Sequence, residues 1–262
     1  LLLLLSILPI INIFLSCLDL QSRKTGLTFA VMDVGQGDAL FVESPTGTQI
    51  LFDVGPARKI MGPLSKVMSP FDRSIDAIVL TNPDADHIGG FSEVFKNYKV
   101  GMVVEPGTVN DSRTYQNLKA DILNKNIPNI LAKSGMRLDL GGGVFIEILF
   151  PDQEVSNFNV NDGSVVARLY YGDTSIMLTG DSTLKTEKII LENIPKDSLK
   201  STILKVGHHG SRTSSSDAFK KAIDPDFALI SDGKDNKYGH PHAEVLDVLS
   251  KKKKKILRTD LL

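Results

Sequence analysis

Apolar and polar positions alternate in short runs from residue 27 to residue 54, the period of half-buried strands. The runs 27–34, 39–43 and 49–54 predict three strands separated by glycine-containing turns. Between the first two, Asp33-Val34-Gly35-Gln36-Gly37-Asp38 suits a tight reversal, because glycine adopts positive φ without steric cost. A buried strand is predicted over 77–81, a helix over 89–98, and further strands over 144–150, 165–171 and 175–179. A helix over 184–193 follows. The remainder alternates: strand 202–206, helix 215–223, strand 227–231, helix 243–250, strand 256–258. Runs of strands first, with helices interleaved later, predict a mixed α/β (α+β) fold with helices packed outside the sheets.

The amino end breaks this pattern. Residues 1–18, LLLLLSILPIINIFLSCL, carry no charge and stand at the short end of what spans a bilayer as a helix. Pro9 and Asn12 weaken that signal, and a buried core helix or a lipoprotein cleavage box around Cys17 are the alternatives. The reading adopted is the end of a transmembrane helix (1–18), a polar linker (19–25) and a domain over 26–262. A strand ending at 258, close to Leu262, leads to the expectation of a further sheet-edge element beyond it.

Composition narrows the chemistry. The formal net charge of -1 gives no global field to attract polyanions, so any nucleic-acid contact must rest on local patches. Arg212 and the run of five lysines containing Lys251, Lys252 and Lys253 are the candidates; a solvated helix end is the plainer reading of that run. One cysteine excludes an internal disulfide and any multi-cysteine zinc site.

All five histidines fall just beyond a predicted strand. A lone histidine is most often structural, but five on strand-end loops beside aspartates and glycines point to one site. In Thr81-Asn82-Pro83-Asp84-Ala85-Asp86-His87-Ile88-Gly89-Gly90, alternate residues of an extended loop place Asn82, Asp84 and Asp86 toward one cavity, with His87 turning in beside them. An Asx-turn and a helix cap explain one or two of these residues, not four. Asp181 ends the apolar run Met177-Leu178-Thr179-Gly180, where a helix cap would be the plainer reading if it stood alone.

The set DVGQGDA (33–39), DADHIGG (84–90), LTGD (178–181), HHGS (208–211) and YGHPH (238–242) resembles metallo-β-lactamase-fold hydrolases. In particular it resembles the C-terminal extracytoplasmic domain of ComEC-type competence proteins, inner-membrane DNA-uptake channels. That resemblance implies a four-layer αββα sandwich with one or two divalent metal ions, manganese or zinc, and no organic cofactor. It implies Asn82, Asp84, Asp86, His87, bridging Asp181 and His240 as metal ligands. Asp86, His208 and His209 would be catalytic, and Asp33, Asp38, Asp53, Asn161 and His242 would support the ligands. Asn82 stands where the general signature has histidine, and an oxygen-rich first position favours manganese or magnesium over zinc.

The expected activity is hydrolysis of a phosphodiester by metal-activated water, with a histidine protonating the leaving oxygen. The substrate implied by the resemblance is one strand of DNA during natural transformation. The expected partners are single-stranded DNA, the cytoplasmic membrane (with the domain on its extracytoplasmic side) and other competence proteins. The rival readings are a channel domain that guides DNA without cutting it and a membrane-anchored hydrolase of small esters.

Overall fold

The structure, a computed structural model, describes residues 26–251 and 254–262. β1 (Thr28–Val31), β2 (Leu40–Glu43) and β3 (Gln49–Phe52) form an antiparallel meander, with Val31 opposite Leu40 and Leu40 opposite Phe52. α1 (Met61–Val67) leads to the short β4 (Ser74–Ile75) and to β5 (Ala77–Val79), which adds to β3 in parallel. After α2 (Ala85–Ile88) and α3 (Phe91–Asn97), β6 (Lys99–Val100) pairs with β4, and β7 (Val103–Glu105) joins β5. α4 (Arg113–Asn124) then returns the chain to β8 (Asn129–Leu131), giving a first sheet ordered β1-β2-β3-β5-β7-β8.

The second half repeats the logic. β9 (Arg137–Gly141), β10 (Val144–Phe150), β11 (Val166–Tyr171) and β12 (Thr174–Leu178) are antiparallel neighbours. β13 (Ile203–Lys205), β14 (Phe227–Ile230) and β15 (Lys255–Arg258) continue in parallel, reached through α5 (Leu184–Asn193), α6 (Asp217–Ile223) and α7 (Ala243–Lys251). The seven strands run β15-β14-β13-β12-β11-β10-β9.

Three apolar clusters define four layers. Because strand side chains alternate faces, Leu40, Val42, Ile50 and Phe52 meet Ile146, Ile148, Leu169 and Ile176 between the sheets. From the other face of the first sheet, Phe41, Leu51 and Ile78 pack on Phe91, Val94, Leu118 and Ile122 of α3 and α4. On the far side, Phe150, Met177 and Leu204 pack on Ile190, Phe219, Ile223 and Leu249 of α5, α6 and α7. The mixed α/β architecture expected from the sequence is the one found.

Two local differences bear on the site. The first strand stops at Val31 instead of 34, because the Gly35 amide turns back to Asp33 Oδ1 and Gly35 and Gly37 adopt positive φ. The helix expected at the glycines starts earlier, at Ala85, so Asp86 and His87 ride on helical backbone. Asn82 Oδ1 accepts the Asp84 amide at 2.8 Å and turns the chain into that helix. Gly89 and Gly90 then press against the backbone near Ala57 and Val54, where an added Cβ would stand 2.6 and 2.4 Å from backbone atoms. The apolar run 1–18 and the linker 19–25 lie outside the described residues. Among the described residues no helix is long and apolar enough to cross a membrane.

Candidate metal centre

Strand ends deliver the site. Asp53 follows β3, residues 81–87 follow β5, Asp181 follows β12 and His208-His209 follow β13. Asp53, His208 and His209 adopt φ of 56°, 48° and 54°, a left-handed conformation that costs a non-glycine residue about 1–3 kcal/mol. Strain of that kind persists only where the surroundings impose it.

One carboxylate orients the first histidine. His87, fully buried, donates from Nδ1 to Asp53 Oδ2 at 2.8 Å. Asp53 also accepts the Thr81 amide at 2.7 Å and the Thr81 hydroxyl, which fixes its own position. His87 Nε2 therefore faces Asp181 Oδ2 at 3.1 Å, close enough for charge attraction but not aligned as a hydrogen bond. His209 is held similarly: Nδ1 donates to the Ser231 carbonyl at 2.9 Å, and Nε2 points to Asp86 Oδ2 at 3.4 Å and Asp181 Oδ2 at 3.6 Å.

Ligand atoms of Asp86, His87, Asp181 and His209 all lie within 4.8 Å of one another. His87 Nε2, His209 Nε2 and Asp181 Oδ1 are buried without a hydrogen-bond partner. Buried polar atoms left unpaired are costly, and the two unpaired imidazole nitrogens facing the carboxylates of Asp86 and Asp181 fit one divalent cation. Two imidazoles and two carboxylates suit zinc or manganese.

Electrostatics agree with that fit. Burial alone would push Asp181 up, but His87 and His209 hold it well below the usual carboxylate range. Burial pushes His87 down, yet Asp181 and Asp53 together raise it well above an ordinary histidine. Asp86 is likewise held low, against its burial, by His209 and His87.

The other candidates stand around this cluster. Asp84 is half-buried, accepts Asn110 Nδ2 at 3.0 Å, and has its pKa raised by burial and by Asp86. Asn82 spends its oxygen on the Asp84 amide, while its buried Nδ2 has no partner. His208 is less buried; its Nδ1 meets Thr213 Oγ1 at 3.0 Å and its Nε2 lies 3.8 Å from Asp181. His240 stands at the rim, its ring centroid 5.6 Å from that of His208 and 6.4 Å from that of His209. Burial and the neighbouring histidines push His240 down to about 4, so it is neutral at pH 7, and its buried Nδ1 has no hydrogen-bond partner. The four-residue cluster thus contains His209, expected as a catalytic residue, while His240, Asn82 and Asp84 of the six expected ligands stand outside it.

The supporting residues divide. Asp38 is fully buried behind His209, its Oδ1 3.5 Å from Nδ1. His242 Nδ1 accepts the Arg212 amide at 3.0 Å, bracing the two histidine loops. Asn161 Oδ1 is buried without a partner, on a loop whose Asp162 accepts the Thr183 hydroxyl. Asp33 is exposed and bonds its own turn. Arg212 faces Glu244 at 3.7 Å, which offsets its charge as a phosphate contact. Lys251 ends α7, and Lys252 and Lys253 lie outside the described residues. Thr81, Ser231, Asn110 and Lys205 were missed as site residues. Lys205, a charged residue within a buried strand, carried a signal that was readable.

Comparison with known proteins bears on the fold and the family. Residues 32–231 match the model of the metallo-beta-lactamase superfamily. ComE operon protein 3 of Bacillus subtilis is 33% identical over 248 residues, covering 88% of this chain and 31% of that protein. Competence protein ComA of Neisseria gonorrhoeae is 32% identical over 88% of this chain and 30% of its own length. The chain thus spans about a third of the length of these curated relatives. Among solved structures, the metallo-beta-lactamase fold protein YhfI of Bacillus subtilis superposes with a TM-score of 0.56 at 15% identity, covering 88% of this chain and 96% of that one. Fold, motif order and matched family agree: the chain belongs to the metallo-β-lactamase superfamily, with ComEC-type competence proteins among its relatives.

Proposed function

We propose that the domain is a metal-dependent phosphodiesterase that degrades one strand of DNA during uptake. The observation that carries this reading is the convergence of Asp86, His87, Asp181 and His209, with three of their atoms unpartnered in a buried site. Competence proteins among the relatives support DNA as the substrate class. A divalent ion held by these four residues would acidify water and polarise a phosphoryl oxygen. Asp53, through Nδ1, keeps His87 Nε2 aimed at that ion. His208, whose pKa burial pushes down, is neutral at pH 7 and can carry a proton at Nε2. Burial and the neighbouring Asp86 raise the pKa of Asp84, which favours its protonated form. Chelator-stripped protein should cleave a single-stranded oligonucleotide only after manganese or zinc is restored. Cleavage that persists in chelator would remove the metal from the account.

The rival reading, a domain that guides DNA without cutting, draws on Asn82, whose oxygen already serves the turn. On the nuclease reading the wild type works best with manganese, and Asn82→His moves the preference toward zinc, for which imidazole is a favoured ligand. Titrating both metals into both proteins checks this. Identical profiles would leave residue 82 a turn-former and limit the centre to one ion.

Residues 1–18 would attach the domain to the cytoplasmic membrane, with the hydrolase outside. A Lys24→Cys variant is expected to react with a membrane-impermeant thiol reagent in intact cells. Labelling only after lysis would place the domain on the other side.

A further inference from the structure

Lys205 and Asp38 form an ion pair whose side chains are 1% and 0% exposed, at the seam between the two sheets. Nothing in the proposed chemistry uses either group. Burying such a pair is a weak way to stabilise a fold, because desolvation offsets most of the attraction. Its connections suggest another purpose.

Asp38 touches both halves of the candidate metal centre. Its amide donates to the carbonyl of Asp86 at 3.3 Å, and its carbonyl accepts the amide of Gly55, two residues after Asp53, at 2.8 Å. Its Oδ1 lies 3.5 Å from His209 Nδ1, and its carboxylate clusters with the Asp53 carboxylate and the His87 imidazole within 4.8 Å. Lys205 ends β13, the strand that leads directly into His208 and His209. Ser231, whose carbonyl holds His209, also sends its hydroxyl to Gly37 O at 2.7 Å. The turn 33–38 is therefore clamped to the second sheet at two points, and Lys205 is the charged one.

We propose that Lys205 is a positioning residue of the metal centre: by gripping Asp38 it sets the distance between the Asp86–His87 half on the first sheet and His209 on the second. The inference rests on the metal-centre reading above. With the clamp, His209 Nε2 stands 3.4 Å from Asp86 and 3.6 Å from Asp181, compact enough for one ion to reach all of them. Without it, the sheets keep their apolar core, but the ligands from opposite sheets lose their register.

The test separates metal affinity from folding. Lys205→Met strands a buried carboxylate and can unfold the chain, so Lys205→Met/Asp38→Asn, which removes both charges with little change of shape, is measured beside it. Metal-free unfolding midpoints, zinc affinity by chelator competition and the visible spectrum of the cobalt(II)-loaded protein are compared with wild type. The double variant is expected to melt near wild type, to bind zinc about 10- to 100-fold more weakly and to show an altered cobalt spectrum, as loss of ligand support does in metal sites. Wild-type affinity and spectrum in a folded double variant would overturn the proposal. So would failure of both variants to fold, which would assign the pair to stability. A wild-type protein that takes up neither metal would instead overturn the metal-centre reading beneath it.

Discussion

Asp181→Ala is expected to abolish metal-dependent hydrolysis while the domain stays folded. Among the described residues, Asp181 is the one carboxylate that faces His87, His208 and His209 together, through Oδ2 at 3.1, 3.8 and 3.6 Å. Its removal takes a ligand from the centre and leaves two buried imidazoles without their shared anion. A loss of several powers of ten in turnover follows, with helix α5 intact because its cap is Thr183 rather than Asp181. If residue 181 served only the turn before α5, the variant would lose about 1 kcal/mol of stability and keep its turnover. Circular dichroism with single-turnover cleavage distinguishes the two.

Metal affinity should rise steeply with pH. In the metal-free domain burial lowers the pKa of His87, but Asp181 and then Asp53 outweigh it and hold the imidazole well above its ordinary 6.5. A cation must displace that proton from Nε2, so affinity gains about tenfold per pH unit for each proton released, until pH passes the folded pKa of His87. The stability of the metal-free domain moves the other way. The raised pKa of His87 contributes fully below 6.5 and is lost as pH climbs through the folded value, whereas the depressed pKa of Asp181 contributes fully above 3.8 and is lost as pH falls below it. Between those limits the His87–Asp181 pair contributes most. Calorimetric titration of zinc in buffers of different ionisation heat reads the protons released. A pH-independent affinity between pH 6 and 8 would show that His87 is not a ligand.

What the sequence made legible follows from what repeats along a chain. The period-2 alternation of residues 40–43 and 49–52 showed the strands, because Leu40 and Val42 face one layer and Phe41 the other. Helix α4 went unread, although Tyr115, Leu118 and Ile122 recur at helical spacing and Ser112 accepts the Tyr115 amide as a cap. Apart from Ala120 and the exposed Leu123, its other positions are polar or charged, so the apolar stripe is narrow. The aspartates and histidines were legible as a group because they gather at strand ends. Which of them meet was not, since that depends on contacts between sheets. His209 enters the cluster because a left-handed backbone at both histidines and the Ser231 carbonyl turn its ring inward. His240 waits at the rim because Asn236 holds the backbone on both sides of its ring, at the His240 amide and carbonyl. Lys205 shows the same limit: its partner is 167 residues away, and no local pattern points to Asp38.

The most direct test of the metal centre is anomalous scattering from crystals soaked separately in manganese and in zinc. The expected result is a peak bonded to Asp86, His87, Asp181 and His209, at about 2.0–2.2 Å from the histidine nitrogens and carboxylate oxygens for zinc. Crystals with no peak at that cluster for either metal, or with the ion bound elsewhere, would contradict the assignment.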